Sequence, residues 1–192
     1  MKNMNHLRDL LKHDIKDLYS AETQIIEAMP AMIEAANNPQ LKQALEQHLR
    51  QTEMQRDRLD RALNIMGDDN DDDGGIFSSL FSKGVKCHGM EGLIDEGEEV
   101  MAFDMDPDVK DAAIICAAQK IEHYEIAGYG TARTYAEQLG LMEVAQLLQQ
   151  TLIEEHDTNN LLNSLAMGGI NQRAETGATT GSSDYDGTTN YR

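Results

Sequence analysis

Apolar residues recur every three to four positions along most of this chain, the period of a helix with one buried face. From about Asn5 to Ala36 the stripe is Leu11, Ile15, Leu18, Ile25, Met29 and Met32 or Ile33, and Glu22 falls on the same inward face. Pro30 lies inside this helix and lacks a backbone donor, so a bend is expected near it. Asn38 then precedes Pro39, a capping side chain followed by the residue best suited to the first helical position. The second stripe is Leu41, Leu45, His48, Thr52, Gln55, Leu59 and Leu63, ending near Met66 and Gly67. Asp106 and Pro107 repeat the start signal for a third long helix, which Gly140 closes. A fourth runs from about Leu141 to Met167 and stops at Gly168 and Gly169.

Between the two pairs, residues 68–86 read as a loop, and a short helix is expected from about Gly89 to Phe103. From Asn171 onward the chain is Gly, Thr, Ser, Asn and Asp with little that is apolar, which predicts disorder. The domain plan is thus a helical bundle over 1–168, with an acidic crossover at 68–106, and a polar tail over 169–192. Short connections make antiparallel neighbours, and the long crossover returns the chain to begin a second pair. The expected fold class is all-α: the ferritin-like arrangement of a four-helix bundle, two antiparallel hairpins with a short extra helix in the crossover. An up-down-up-down bundle is the alternative; a connection of this length carrying its own helix disfavours it.

Composition supports helix, with three prolines and 5% aromatics in 192 residues. The net charge of −18 argues against a nucleic-acid partner, for which a basic stripe is expected. Residues 68–108 hold thirteen acids against Lys83 and Lys86, −11 of the total. A solvated connection explains them; an acidic funnel for cations is the sharper reading. No segment has the ~20 apolar residues of a membrane span, and the N-terminus has no apolar signal region, so no membrane is expected. Cys87 and Cys116 are too few for a disulfide framework or a zinc cluster. Cys116 falls in an apolar run and is expected to be buried, and a reducing cytosol is the expected compartment.

The candidate chemistry lies in Glu122-His123-Tyr124-Glu125. Glu122 and Glu125 are three residues apart on the helix face that Ile115, Ala118, Ile126 and Tyr129 mark as inward. Buried carboxylates are costly unless something cationic neutralises them. In an antiparallel pair, residues equidistant from the turn lie level. With turns near Asn38 and Gly140, Gln51 and Gln55 flank the level of Glu22. Glu125 lies level with Glu155, and Glu122 with residues 158 and 159. Glu22, Glu122, Glu125 and Glu155 therefore converge at mid-height, a set suited to two hard or borderline ions such as iron, or manganese. Their other reading is a buried polar network of protonated glutamates with Gln and Asn partners. Tyr19 and Tyr129 are placed to bond a ligand, although both also fit as amphipathic core residues. His48 is inward but six residues from the level of Glu22, roughly 9 Å along the axis, which argues against ligation. His123 and His156 are each rotated about 100° from the neighbouring glutamate; His123 is kept as an outer candidate, and plain structural roles are expected of all three.

Five stretches carry a resemblance: Tyr-Ser-Ala-Glu-Thr-Gln at 19–24, Gln-His-Leu-Arg-Gln-Thr at 47–52, Gly-Met-Glu-Gly-Leu-Ile at 89–94, Ala-Ala-Gln-Lys-Ile-Glu-His-Tyr-Glu-Ile-Ala-Gly-Tyr-Gly-Thr at 117–131 and Thr-Leu-Ile-Glu-Glu-His at 151–156. Over about residues 6–168 the chain resembles the YciE/YciF family of ferritin-like stress proteins, often described as candidate ferroxidases. The resemblance implies a homodimer with a two-metal carboxylate site between the hairpins. Gln51 stands where the family usually has Glu, and Asn159 where it often has Asp. The Glu-x-x-His motifs of better-known di-iron bundles are absent, since Arg56 follows Glu53 and Thr158 follows Glu155 at that spacing. The expected function is a di-metal carboxylate protein oxidising Fe(II) with O2 or peroxide. Its metal ligands would be Glu22, Gln51, Gln55, Glu122, Glu125 and Glu155, with Tyr19, His123, Tyr129 and Asn159 around them. The alternative is a non-catalytic structural or metal-binding stress protein with a degenerate site.

Overall fold

The computed structural model describes residues 4–67 and 85–176, and all the regular structure among them is helical. The elements are α1 (Leu7–Ala35), α2 (Pro39–Ile65), α3 (His88–Met101), α4 (Pro107–Gln138) and α5 (Met142–Leu165). A wide π turn over Ala166–Ile170 then leads into α6 (Asn171–Thr176). The caps form as the sequence predicts. The Asn38 side chain accepts the N–H groups of Gln40 and Leu41, and Asp106 accepts that of Asp108. Gly140 closes α4 at φ 70°, a left-handed conformation that suits glycine. Pro30 is exposed, and α1 continues past it to Ala35.

Asp111 sets the direction of the second hairpin. Its buried carboxylate accepts the backbone N–H of Asn37 at 2.7 Å and of Asn38 at 2.8 Å. The start of α4 is thereby fixed beside the α1–α2 connection, so α4 runs antiparallel to α1. Helices α1 and α2 form one hairpin and α4 and α5 the other, with α1 against α4 and α2 against α5. This is the ferritin-like bundle, and α3 lies on its α1–α4 side. Met90 of α3 is fully buried and Leu93 and Ile94 pack on the same cluster, so the apolar face of α3 serves this chain's own core. One apolar cluster, with Leu11, Ile15, Leu59 and Leu148, fills the end near Gly140; another, with Leu41, Leu45, Ile114 and Leu162, fills the end near Asn38. The polar residues at mid-height sit between them.

Two expectations are corrected. Cys116 is exposed, whereas Cys87 is buried. Helix α4 is apolar over a wide arc because it packs both into the bundle and against α3, and Cys116 falls in the gap between α3 and α6. It lines an open groove of about 700 Å³ with Leu93, Lys120 and His123. The chain is also helical over Asn171–Thr176, against the expectation of disorder there. Ile170 is 2% exposed and anchors the turn, Gly169 takes φ 129°, and Arg173 Nε donates to Asp108 Oδ1 at 2.9 Å. One apolar residue and one ion pair thus hold a helix that composition alone reads as tail. The acidic run 68–73 and residues 177–192 lie outside the described residues.

Candidate metal centre

Glu22 of α1, Glu122 and Glu125 of α4, and Glu155 of α5 are all 0% exposed. Each interrupts an apolar stripe at the helical period, so packing the stripes brings the carboxylates inside together. His48 of α2 joins them at 3% exposure. One ligating atom from each of His48, Glu122, Glu125 and Glu155 lies within 4.8 Å of the others. Glu22 adjoins this group, its Oε1 accepting a short hydrogen bond from the Tyr129 hydroxyl. Gln55 donates its amide N–H groups to Glu155 Oε1, in another short bond, and to Glu154 Oε2 at 3.1 Å.

A neighbour favours one tautomer of His48. Thr158 Oγ1 donates to the Glu154 carbonyl at 3.1 Å, which leaves it an acceptor towards His48 Nδ1 at 3.4 Å. This arrangement suits the tautomer with the proton on Nδ1, which presents a lone pair at Nε2. That nitrogen stands 3.0 Å from Glu122 Oε1, off the line of a hydrogen bond. Six carboxylate oxygens are likewise buried and receive no hydrogen bond from a fixed donor: Glu22 Oε2, both of Glu122, both of Glu125, and Glu155 Oε2. Glu22 with Glu125, and Glu122 with Glu155, lie close enough to share a proton. Buried acceptors facing acceptors are unfavourable unless a proton or a cation lies between them. Burial, with neighbouring carboxylates, raises all four carboxyl pKa values. Glu22 goes up to about 8 and Glu122 to about 7, while Glu125 and Glu155 go well above the usual range. Burial and the charge of Glu22 also raise Tyr129, which stays protonated and remains a donor.

The structure gathers Glu22, Glu122, Glu125, Glu155, Gln55 and Tyr129, and sets the other candidates apart. Gln51 is half-buried, and no described hydrogen bond joins it to the carboxylates. Tyr19 is half-buried and faces Arg56, Asp57 and Asp60 of α2. His123 is exposed in the groove beside Cys116. Asn159 is half-buried and its Oδ1 accepts from Gln119 Nε2 at 3.2 Å.

His48 is the residue that sequence reasoning placed wrongly. Spacing within the first hairpin sets its height against Glu22, but its partner is Glu122, one turn nearer the Asn38 end than Glu125. The Glu122 side chain also leans back towards the start of α4, which is the direction of His48. The available signal was only that His48 lies on the inward stripe of α2, since spacing within one hairpin does not give its level relative to Glu122. Arg58 was missed as well. It is 8% exposed and donates to Thr151 Oγ1 at 2.8 Å and to Glu154 Oε2 at 2.5 Å.

Residues 6–175 match the family model described as a domain of unknown function, DUF892. Protein YciF of Escherichia coli (strain K12) is 42% identical over 173 residues, 90% of this chain and 98% of that protein. The crystal structure of the E. coli stress protein YciF superposes with a TM-score of 0.77 at 41% identity, covering 88% of this chain and 99% of that one. YcfI of Rhodopseudomonas palustris, proposed to be a structural protein, superposes with a TM-score of 0.76 at 39% identity over 85% of this chain and 96% of that one.

Proposed function

The chain belongs to the DUF892 family, and from that premise we propose that it is a stress-associated, ferritin-like di-metal protein that oxidises Fe(II) with O2 or peroxide. The observation that carries this reading is the set of buried, unpartnered carboxylate oxygens beside the His48 Nε2 lone pair. Oxygen donors with one imidazole suit iron, and also manganese. Four ionised glutamates would balance two divalent ions, with His48, Glu122, Glu125 and Glu155 holding one and Glu22 contributing to the second. Bound iron supplies one-electron redox chemistry. The chain's own residues set the conditions for it. Tyr129 holds Glu22 in place by donating to it, Thr158 favours the His48 tautomer with its lone pair at Nε2, and the apolar clusters above and below exclude water.

Metal analysis of protein purified without chelator tests the binding, and Fe(II) oxidation in air tests the chemistry. Oxidation faster than in buffer, abolished by Glu122→Gln, is the expected result. Substoichiometric metal with no acceleration supports the second reading, a non-catalytic structural or metal-holding protein. The half-buried Gln51 and the engagement of Asn159 by Gln119 favour that reading, as does the structural role proposed for YcfI. A homodimer without nucleic-acid or membrane partners, in a reducing cytoplasm that suits two free cysteines, completes the proposal. No helix among the described residues is long and apolar enough to cross a membrane.

A further inference from the structure

Arg58 is a buried cation on α2, pointing towards α5, and the metal reading gives it no task. Its guanidinium spans Thr151 and Glu154 on successive turns of α5. The Glu154 oxygen that receives Arg58 also accepts from Gln55 Nε2, and Gln55 Nε2 donates as well to Glu155 Oε1. Both protons of the Gln55 amide are thus taken by carboxylates of two consecutive residues. Turning the amide over would set its oxygen against the Glu154 Oε2 that Arg58 engages, so the orientation is held from the Glu154 side. The Gln55 carbonyl oxygen is then left buried with no partner, beside Glu155, in a side chain that is 0% exposed.

We propose that Gln55 Oε1 is a neutral oxygen donor to the metal centre and that the Arg58–Glu154 pair is the positioning device that holds it there. This rests on the metal reading above. A neutral amide oxygen adds a hard donor without adding to the four negative charges already gathered, so it suits a site whose carboxylates are matched to two divalent ions. Arg58 acts at a distance. It neutralises Glu154, which keeps that carboxylate turned to Gln55, and its fork to Thr151 fixes the angle. Outer partners of this kind commonly govern metal affinity by about 10–100-fold.

The test uses the full chain, with Co(II) as the probe. In metal-free protein, ¹⁵N spectra should show the Gln55 side-chain amide protons exchanging slowly with water. Arg58→Met, which keeps the apolar stem, should speed that exchange at least about 10-fold and weaken Co(II) by about 10–100-fold in chelator competition, with altered visible absorption bands. Arg58→Lys retains a charge for Glu154 and should lie between. Gln55→Leu removes no charge, should show the same loss of affinity and the same spectral change, and keeps the test alive if Arg58→Met fails to fold. Wild-type affinity and spectrum in both Arg58→Met and Gln55→Leu would overturn the proposal and leave the pair as a clamp between helices. Co(II) bound by wild type while the Gln55 protons exchange freely would overturn it alone. Slow Gln55 exchange with no Co(II) uptake by wild type would sink the metal reading and the donor role together.

Discussion

The carboxyl groups of Glu22 and Glu122 give the metal-free protein an unusual pH dependence. Unfolded, each titrates near 4.5; folded, burial moves Glu22 to about 8 and Glu122 to about 7. Between those values the folded chain binds more protons than the unfolded one, so stability falls as pH rises. Their contribution is complete below pH 4.5 and gone above about 8. Urea titrations of chelator-treated protein at pH 5 and pH 8 should show the midpoint dropping, and a rising midpoint would contradict the arrangement. Tyr129→Phe acts on the same group by deleting the donor to Glu22 Oε1. An acceptor left buried and unpaired costs about 1–3 kcal/mol, read as a lower urea midpoint in metal-free protein at pH 7. The glutamate quartet was legible in the sequence because charge on an apolar stripe is rare and each residue's height follows from its distance to a turn. His48 was not, because it meets the other hairpin, and sequence spacing measures height only within one.

Element boundaries were legible for the same local reason: Asn38–Pro39, Asp106–Pro107 and Gly140 carry their instructions in the residues themselves. Helix α6 was not, since its order comes from Ile170 reaching a core built by distant residues. The seating of α3 was half legible. Its apolar face was evident, but its closeness to α4 depends on Gly89, where an added Cβ would lie 2.7 Å from the Tyr124 ring. That ring is held in turn, its hydroxyl donating to Asp17 Oδ2 at 2.9 Å and standing 2.9 Å from Cys87 Sγ. Two alanines in one helix should therefore act in opposite directions. Gly92→Ala meets nothing within 4 Å and should raise stability by up to ~1 kcal/mol through helix propensity. Gly89→Ala has the same propensity gain but displaces the ring, at about 1–3 kcal/mol for overpacking, and should come out destabilising. Thermal melts of the two variants decide it.

At the scale of the whole molecule, the site's donors come from all four long helices: Glu22 from α1, His48 from α2, Glu122 and Glu125 from α4, and Glu155 from α5. Nothing covalent joins the two hairpins except the crossover, and the site draws its polar residues from both at mid-height. An ion bound there cannot remain when either hairpin leaves, so binding energy becomes energy of global unfolding. Metal at 100 times its dissociation constant should stabilise the fold by about 2.7 kcal/mol. The distribution of that gain is the sharper measurement. Hydrogen exchange of the mid-helix amides in α1, α2, α4 and α5 should slow together on loading. Helix α6 supplies no donor and should keep its metal-free rates, because its local opening leaves the ion in place. Slowing confined to α4 and α5 would mean that the ion is held by one hairpin, and the convergence of the two would then have no part in binding it.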